Sequence, residues 1–527
     1  MSTIKLLRIQ GFKKFKNITI EFNKNMNVIV GDNEIGKSTI LEAIKIVILQ
    51  KYRNIEKIML HDLFNYENVK LYKKRPGYDT LPKIIIEVLF QMDEKEKDSE
   101  YFYGENSTNP QICDYGIIFT CEYDKDLGID ISNNISNGDI PYECYTLRWQ
   151  TFANRTYSTM KKPLNALFIN TFKDYNTNIF STYTKNLFNT LCDTKKHLIS
   201  KNEFTQKVEG VFKELTLPQL TENSRFGIDR KKVILENMIS VLQDGIPLEN
   251  HGSGMESLIK TRIALVKNNA NVILMEEPEN HLSYVNMRQM LSEILSNSES
   301  QMIITTHSSM IATGLNLINV IWLAEDKIKN LNDVPVDVAE FFKKAVNNDF
   351  LALLLSKKII LVEGATEYMM IPFLYRQFIG NDIECDGISV ISCNGISYKH
   401  YLKISEKVGN KVAVITDNDG YDSRILNAIE FNEKNNKQHI FMGESVAEWT
   451  WEKCLYDENV QTIKSIIKIE KDADYKINKS NFNYDNLDKV LRKMLLNKVD
   501  SAYQIIMSNK HINIPNYVKE ALKWIRE

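Results

Sequence analysis

Asn27-Val28-Ile29-Val30-Gly31-Asp32-Asn33-Glu34-Ile35-Gly36-Lys37-Ser38-Thr39 decides the first half of the fold. An apolar strand runs into an eight-residue loop with glycines at its first and sixth positions. The loop ends in Lys-Ser, and a helix follows with Ile40, Ala43, Ile44 and Val47 on one face. The order has a chemical reason. Glycines let backbone N–H groups curl around phosphate oxygens at a helix N-terminus, Lys37 places a cation on the β- and γ-phosphates, and Ser38 offers a hydroxyl to Mg²⁺. Gly31, Asn33, Gly36, Lys37, Ser38 and Thr39 are therefore the expected ATP-binding residues.

Outward from this loop, Lys5 to Ile9 and Ile18 to Phe22 alternate as strands, and residues 1 to about 125 read as α/β. The next informative stretch is Val272-Ile273-Leu274-Met275-Glu276-Glu277-Pro278-Glu279-Asn280-His281-Leu282. Four apolar residues suit a buried central strand, and its C-terminal end, where α/β sheets bind ligands, delivers two carboxylates. Glu276 is placed to hold Mg²⁺ through water and Glu277 to polarise an attacking water. Asp is the usual first acid, so the longer Glu276 is a departure that shifts the metal slightly. Just ahead lies Gly252-Ser253-Gly254-Met255-Glu256-Ser257, where Ser253 and Gly254 open a helix and present a hydroxyl and N–H groups to phosphate. Downstream, the strand Gln301 to Thr306 leads to His307, placed in the order of motifs to sense a γ-phosphate.

This ordered set resembles the cassette ATPases that include the chromosome-maintenance and RecF-like proteins. In that class the Ser-Gly signature of one subunit closes over ATP held by another, so the resemblance implies a homodimer through the ATPase heads. Glu256 stands where Gln is usual, which bears on the strength of that closure.

A second α/β series begins with strands Ile359 to Val362, Ser389 to Ile391 and Val412 to Ile415. Ile359-Ile360-Leu361-Val362-Glu363-Gly364-Ala365-Thr366-Glu367 sets one carboxylate at a strand tip and another on the first turn of the next helix. Val412-Ala413-Val414-Ile415-Thr416-Asp417-Asn418-Asp419 adds two aspartates beyond a neighbouring strand, alternate residues sharing a side. Four carboxylates expected at one point repel unless cations lie between them, which points to Mg²⁺ or Mn²⁺. The paired motifs resemble the Toprim fold. A Toprim module behind a cassette ATPase, joined by Asn348-Asp349-Phe350-Leu351-Ala352, resembles the OLD (overcoming lysogenisation defect) family over essentially the whole chain.

That resemblance implies an α/β protein with an N-terminal ABC-type, RecF/SMC-like ATPase at 1–345. A helical insertion or dimerisation arm is expected at about 160–245, and a C-terminal Toprim nuclease domain at 346–527. It further implies metal-dependent endonucleolytic cleavage of DNA regulated by ATP, with Glu363 as metal ligand or general base and Glu367, Asp417 and Asp419 as ligands. A further acid, Glu452 in Thr450-Trp451-Glu452, with Glu448 as rival, completes the ligands, and Lys498 neutralises charge on the phosphate. The branch most resembled holds antiphage effectors of the Gabija type and retron-associated nucleases. A helicase, or a reverse transcriptase with its RNA, is thus an expected partner, and head dimers building to tetramers an expected assembly. The contrasting expectation is a RecF-like DNA-binding structural ATPase with a non-catalytic Toprim domain.

Composition agrees with two large domains: 527 residues exceed one compact core. A net charge of −2 excludes whole-chain basic attraction as the route to nucleic acid, leaving local surfaces or metal ions. Seven scattered cysteines without a CxxC pair read as reduced thiols, and the histidines form no zinc pattern. No apolar run approaches about 20 residues and no signal peptide opens the chain, so a cytoplasmic protein without membrane contact is expected.

Overall fold

The computed structural model describes all residues except 1, 97, 107–110, 171–183, 185–186, 189–193, 216–218, 222–223, 227, 230–232, 236–237, 267–269, 297–298, 325–326, 346–348, 396–397 and 471–485. Asn348 of the expected connector and much of the expected helical insertion thus lie outside the described residues. The chain divides into two compact units, Met1–Asn330 and Leu331–Glu527.

In the first unit, strands β1 (Thr3–Phe12), β2 (Phe15–Glu21), β4 (Ile84–Gln91), β5 (Tyr103–Glu105), β6 (Cys113–Tyr123) and β7 (Tyr145–Thr151) form one antiparallel sheet. Strands β3 (Met26–Gly31), β8 (Ala166–Asn170), β13 (Val272–Glu276), β14 (Gln301–Thr305), β15 (Val320–Ala324) and β16 (Lys327–Asn330) form the other, in the order β16-β15-β3-β14-β13-β8. All its pairings are parallel except β15 with the edge strand β16. A strand buried on both faces needs an uninterrupted apolar run rather than alternation. This accounts for Val28-Ile29-Val30 and Val272-Ile273-Leu274-Met275, all essentially inaccessible to solvent.

The helix Lys37–Leu49 packs among core residues drawn from both sheets. It buries Ile40, Leu41, Ala43, Ile44, Ile46, Val47 and Ile48, so the single apolar face read from the sequence widens to nearly the whole circumference. The carbonyls of its last turn find donors across the core, where Trp149 Nε1–H reaches Ile46 O at 2.8 Å and the Tyr157 hydroxyl reaches Ile48 O at 2.9 Å.

The expectation of a helical insertion over 160–245 needs correction where the chain is described. Ala166–Asn170 is not an arm but the edge strand of the parallel sheet, in register with β13 from Ala166 opposite Val272 to Asn170 opposite Glu276. Its few apolar residues gave too short a pattern to stand out from the Asn- and Lys-rich stretch that follows. A helix, Thr194–Glu214, does form beyond it. Short antiparallel pairs then follow, β9 (Gln219–Thr221) with β10 (Ser224–Arg225) and β11 (Leu242–Gln243) with β12 (Ile246–Pro247).

The second unit starts at Leu331 rather than near 346. The helices Val336–Lys344 and Phe350–Leu355 belong to it because Phe342 packs on Phe350 and Tyr401, and Lys403 pairs with Asp337 at 3.1 Å. Its sheet is wholly parallel, β18 (Ile388–Ser392), β17 (Lys358–Val362), β19 (Lys411–Ile415), β20 (Gln438–Phe441). Because β17 and β19 are neighbours in register, with Val362 opposite Ile415, Glu363 and the Thr416-Asp417 turn leave the sheet side by side.

Candidate functional sites

Sheet order places the nucleotide motifs together. β3 lies beside β14 and β14 beside β13, all parallel, so the loop after Gly31, the Glu276-Glu277 pair and Thr306-His307 emerge at one edge of the sheet. Gly36 caps the following helix with φ +110°, and a Cβ there would come within 2.5 Å of the Phe15 ring. Glycine is required on both counts. The Lys37 ammonium is buried and donates to the carbonyls of Gly31 and Asp32, each at 2.8 Å. Burial brings its pKa down to about 8, against the pull of Glu277, Asp32 and Glu279. Ser38 and Asn33 are exposed and Thr39 is half-buried.

Glu277 takes φ +45°, its N–H donating to Thr305 O at 2.9 Å. Its carboxylate meets His307 Nε2 at 3.0 Å and accepts from Asn280 Nδ2 at 3.0 Å. His307 Nδ1 lies 3.5 Å from Lys37 Nζ, so the imidazole stands between the loop lysine and the acid. Glu276 ends β13 and is half-buried. Ser253 and Gly254 begin the helix Ser253–Val266, and Gly254 lies so near the turn after the acidic pair that a Cβ would be 2.3 Å from His281 O. One residue passed over in the sequence belongs here. Glu279 accepts from the Thr306 hydroxyl and the His307 N–H, both at 2.7 Å, and burial together with Glu277 pushes its pKa up. Its position three residues past Glu276 was the available signal.

In the second unit the acids gather with a different geometry from that expected. Glu363 accepts from the Thr416 hydroxyl and, at 3.1 Å, from the Asp417 N–H. Asp417 accepts from the Thr450 hydroxyl at 2.7 Å and the Trp451 N–H at 2.8 Å. Burial, then repulsion from Glu363 and Glu452, pushes its pKa up to about 8. Glu452, on the first turn of the helix Trp451–Glu458, has the same Thr450 hydroxyl at 2.8 Å, so that one proton is shared between the two carboxylates, and accepts from Lys498 Nζ at 2.9 Å. Only 2% of its side chain is exposed, and its second oxygen, Oε1, is buried without a hydrogen-bond partner among the described residues. Lys498 opens the helix Lys498–Ser508 and is 45% exposed. Burial works against its charge, but the carboxylates of Glu452, Asp417 and Glu367 prevail and raise its pKa.

Glu367 folds back to the Gly364 N–H at 3.1 Å as a helix cap, and burial raises its pKa. The strand alternation expected to align Asp419 with Asp417 does not reach them. The strand ends at Ile415, Asp419 turns into the left-handed region at φ +50°, and its carboxylate pairs with Arg424, whose guanidinium also donates to Asp417 O at 3.3 Å. Glu448 lies in the loop before Thr450 and bonds the Ser445 N–H at 3.2 Å. Among the described residues, no three acids, histidines or cysteines stand close enough to ligate one ion. Glu363, Glu367, Asp417 and Glu452 nonetheless lie near enough to act on one another's charge, while Asp419 is paired with Arg424. Like charges in a partly dry environment take hydrogen-bond donors. The sequence carried no sign that Thr416, Thr450 and Arg424 would supply those donors.

The comparisons with known proteins agree with this division. A model of the Toprim domain of overcoming-lysogenization-defect-like proteins matches residues 354–419, and a model of an AAA domain matches 6–251. An ATP/GTP phosphatase of Helicobacter pylori is 22% identical over 338 residues, covering 58% of this chain and 85% of that protein. The Old nuclease of Escherichia phage P2 is 25% identical over 246 residues, covering 42% of this chain and 39% of the nuclease. The C-terminal region of the Burkholderia pseudomallei OLD protein is 18% identical, with a TM-score of 0.25, covering 32% of this chain and 97% of that one. Among the described residues no helix is long and apolar enough to cross a membrane. The chain thus carries an AAA domain followed by an OLD-like Toprim domain, an order in which it is similar to ATPase–Toprim proteins of the OLD family.

Proposed function

We propose that this protein is an ATP-regulated DNA endonuclease that requires Mg²⁺ or Mn²⁺ and acts in bacterial defence against phage. The observation that carries the hydrolytic part is the pair of acids Asp417, half-buried, and Glu452, buried, joined through Thr450 and faced by Lys498. A buried carboxylate oxygen without a donor among the described residues, Glu452 Oε1, beside an aspartate whose pKa is raised by its neighbours, is an arrangement that a cation satisfies. Glu363, Glu367, Asp417, Asp419 and Glu452 would hold the ions. When bound, divalent ions supply activation of water and stabilisation of the leaving 3′ oxygen.

The chain's own groups have distinct parts. Glu363, half-buried at a strand tip, serves as an ion ligand or as the base that takes a proton from water. Lys498 keeps one side on Glu452 and the other toward solvent, where it can meet a phosphodiester and neutralise its developing charge. In the first unit Lys37 and Ser38 bind the nucleotide phosphates, Glu276 serves the magnesium, Glu277 orients water and His307 reports the γ-phosphate. Ser253 and Gly254 present the signature helix to a second subunit, which makes a head dimer the working unit.

Plasmid incubated with the purified protein and Mg²⁺ or Mn²⁺ tests the reading. Nicking is expected with wild type and about 100-fold less with Glu363→Ala or Asp417→Ala. Undiminished nicking in both variants rejects the site. A protein that binds manganese without cutting DNA favours the structural ATPase with a non-catalytic Toprim domain.

A further inference from the structure

Glu279 has no part in the roles assigned above, yet it is the residue through which the turn after the acidic pair holds the exit of β14. One oxygen, Oε1, accepts two hydrogen bonds at 2.7 Å, from the Thr306 hydroxyl and the His307 main-chain N–H. The other, Oε2, is buried and has no hydrogen-bond partner among the described residues. Burying a carboxylate in that state is costly unless the geometry it enforces is itself needed. The turn is independently fixed. Glu277 and His281 take positive φ of 45° and 64°, and the Asn280 and Leu282 N–H groups donate to Glu277 O and Glu279 O at 3.1 and 3.0 Å. Glu279 therefore hangs from a rigid frame.

From this geometry we infer that Glu279 is a positioning residue for ATP hydrolysis, fixing the backbone of His307 so that the imidazole stands between Lys37 and Glu277. The inference rests on the ATPase reading of this site. Its physical content is a chain of contacts. Glu279 sets the His307 N–H, the His307 Nε2 lies 3.0 Å from Glu277, and its Nδ1 lies 3.5 Å from Lys37. Without the carboxylate, Thr306-His307 loses its attachment to the acidic turn, and the ring can leave the line between cation and acid. Glu277 keeps Asn280 Nδ2 at 3.0 Å, so its own placement does not depend on Glu279. The loss falls on the chemical step rather than on nucleotide binding. Gly254 of the signature helix abuts the same turn at His281 O, so a displacement of that helix would pass to His307 by the same route.

The test uses the full chain, measuring steady-state ATP hydrolysis and the affinity for a fluorescent ATP analogue. Wild type must hydrolyse ATP; if it does not, the ATPase reading fails and Glu279 is not at issue. Given turnover, Glu279→Ala is expected to lower kcat about tenfold or more with the analogue's Kd within about twofold of wild type. Glu279→Gln, whose amide oxygen still accepts from Thr306 and His307, is expected to retain most of kcat. Thr306→Val leaves Glu279 in place, removes one of the two bonds and is expected to give an intermediate loss, which keeps the test alive if Glu279→Ala does not fold. In the His307→Ala background, Glu279→Ala is expected to add little, since residues acting as one unit are not additive. Unchanged kcat in Glu279→Ala, a loss confined to Kd, an equal loss in Glu279→Gln, or full additivity with His307→Ala would each overturn the assignment.

Discussion

Asp417 is where the chemistry of the second unit is most exposed to experiment. Its folded pKa of about 8 lies well above the roughly 3.9 of an unfolded aspartate. Between those values the native state holds a proton that the unfolded chain has released, so stability contributed by this residue falls as pH rises from about 4 to 8 and is lowest above 8. In EDTA, Asp417→Asn should therefore melt several degrees above wild type at pH 9, with the gap closing toward pH 5. An equal gap at both pH values would show that charge at Asp417 is not its source. Lys498 offers a complementary case. Lys498→Ala removes the cation from Glu452 and from the mouth of the site, and should cut plasmid nicking by about 100-fold. Isothermal titration should still show manganese binding. Asp417 and Glu363 were legible as acids ending apolar strands. Arg424 was not, because its pairing with Asp419 depends on the left-handed turn at Asp419, which no residue pattern announces.

Elements decide which of these groups meet. The loop before Lys37 works because Gly36 can take φ +110° under the Phe15 ring. Gly36→Ala adds both strain and a 2.5 Å contact, and should cost about 1–3 kcal/mol of stability and most nucleotide affinity, measured by denaturant melts and by binding of a fluorescent ATP analogue. The helix it opens is held from nearly every side, so Ile44→Ala should destabilise the first unit by about 2–5 kcal/mol without touching a phosphate-binding group. Strand β8 shows the limit of reading elements from sequence. Five residues at a sheet edge carry too little periodicity to be recognised, and only their register against β13 identifies them.

At the scale of the whole molecule, each unit brings its motifs to the carboxyl ends of parallel strands, and the question is whether the two chemistries are linked. Lys37→Ala tests this. If ATP changes the rate of plasmid nicking in wild type, the variant, which loses the cation proposed to bind phosphate, should cut at the nucleotide-free rate whether or not ATP is present. A nuclease indifferent to ATP in both proteins would leave the first unit an assembly role.

The sequence by itself determined the two α/β units, the phosphate loop, the acidic pair and the strand-tip carboxylates. Each of these is a local pattern, in which an apolar run long enough to be buried ends in residues of one chemistry. Tertiary structure decided what lies far apart in the chain. Lys498 meets Glu452 because the fold brings together the first turns of the helices Trp451–Glu458 and Lys498–Ser508, and His307 meets Glu277 and Lys37 because β14 lies between β3 and β13. It also decided which donors each acid meets. The distance at which like charges settle depends on the donors folded around them, and those donors are assembled only by the fold.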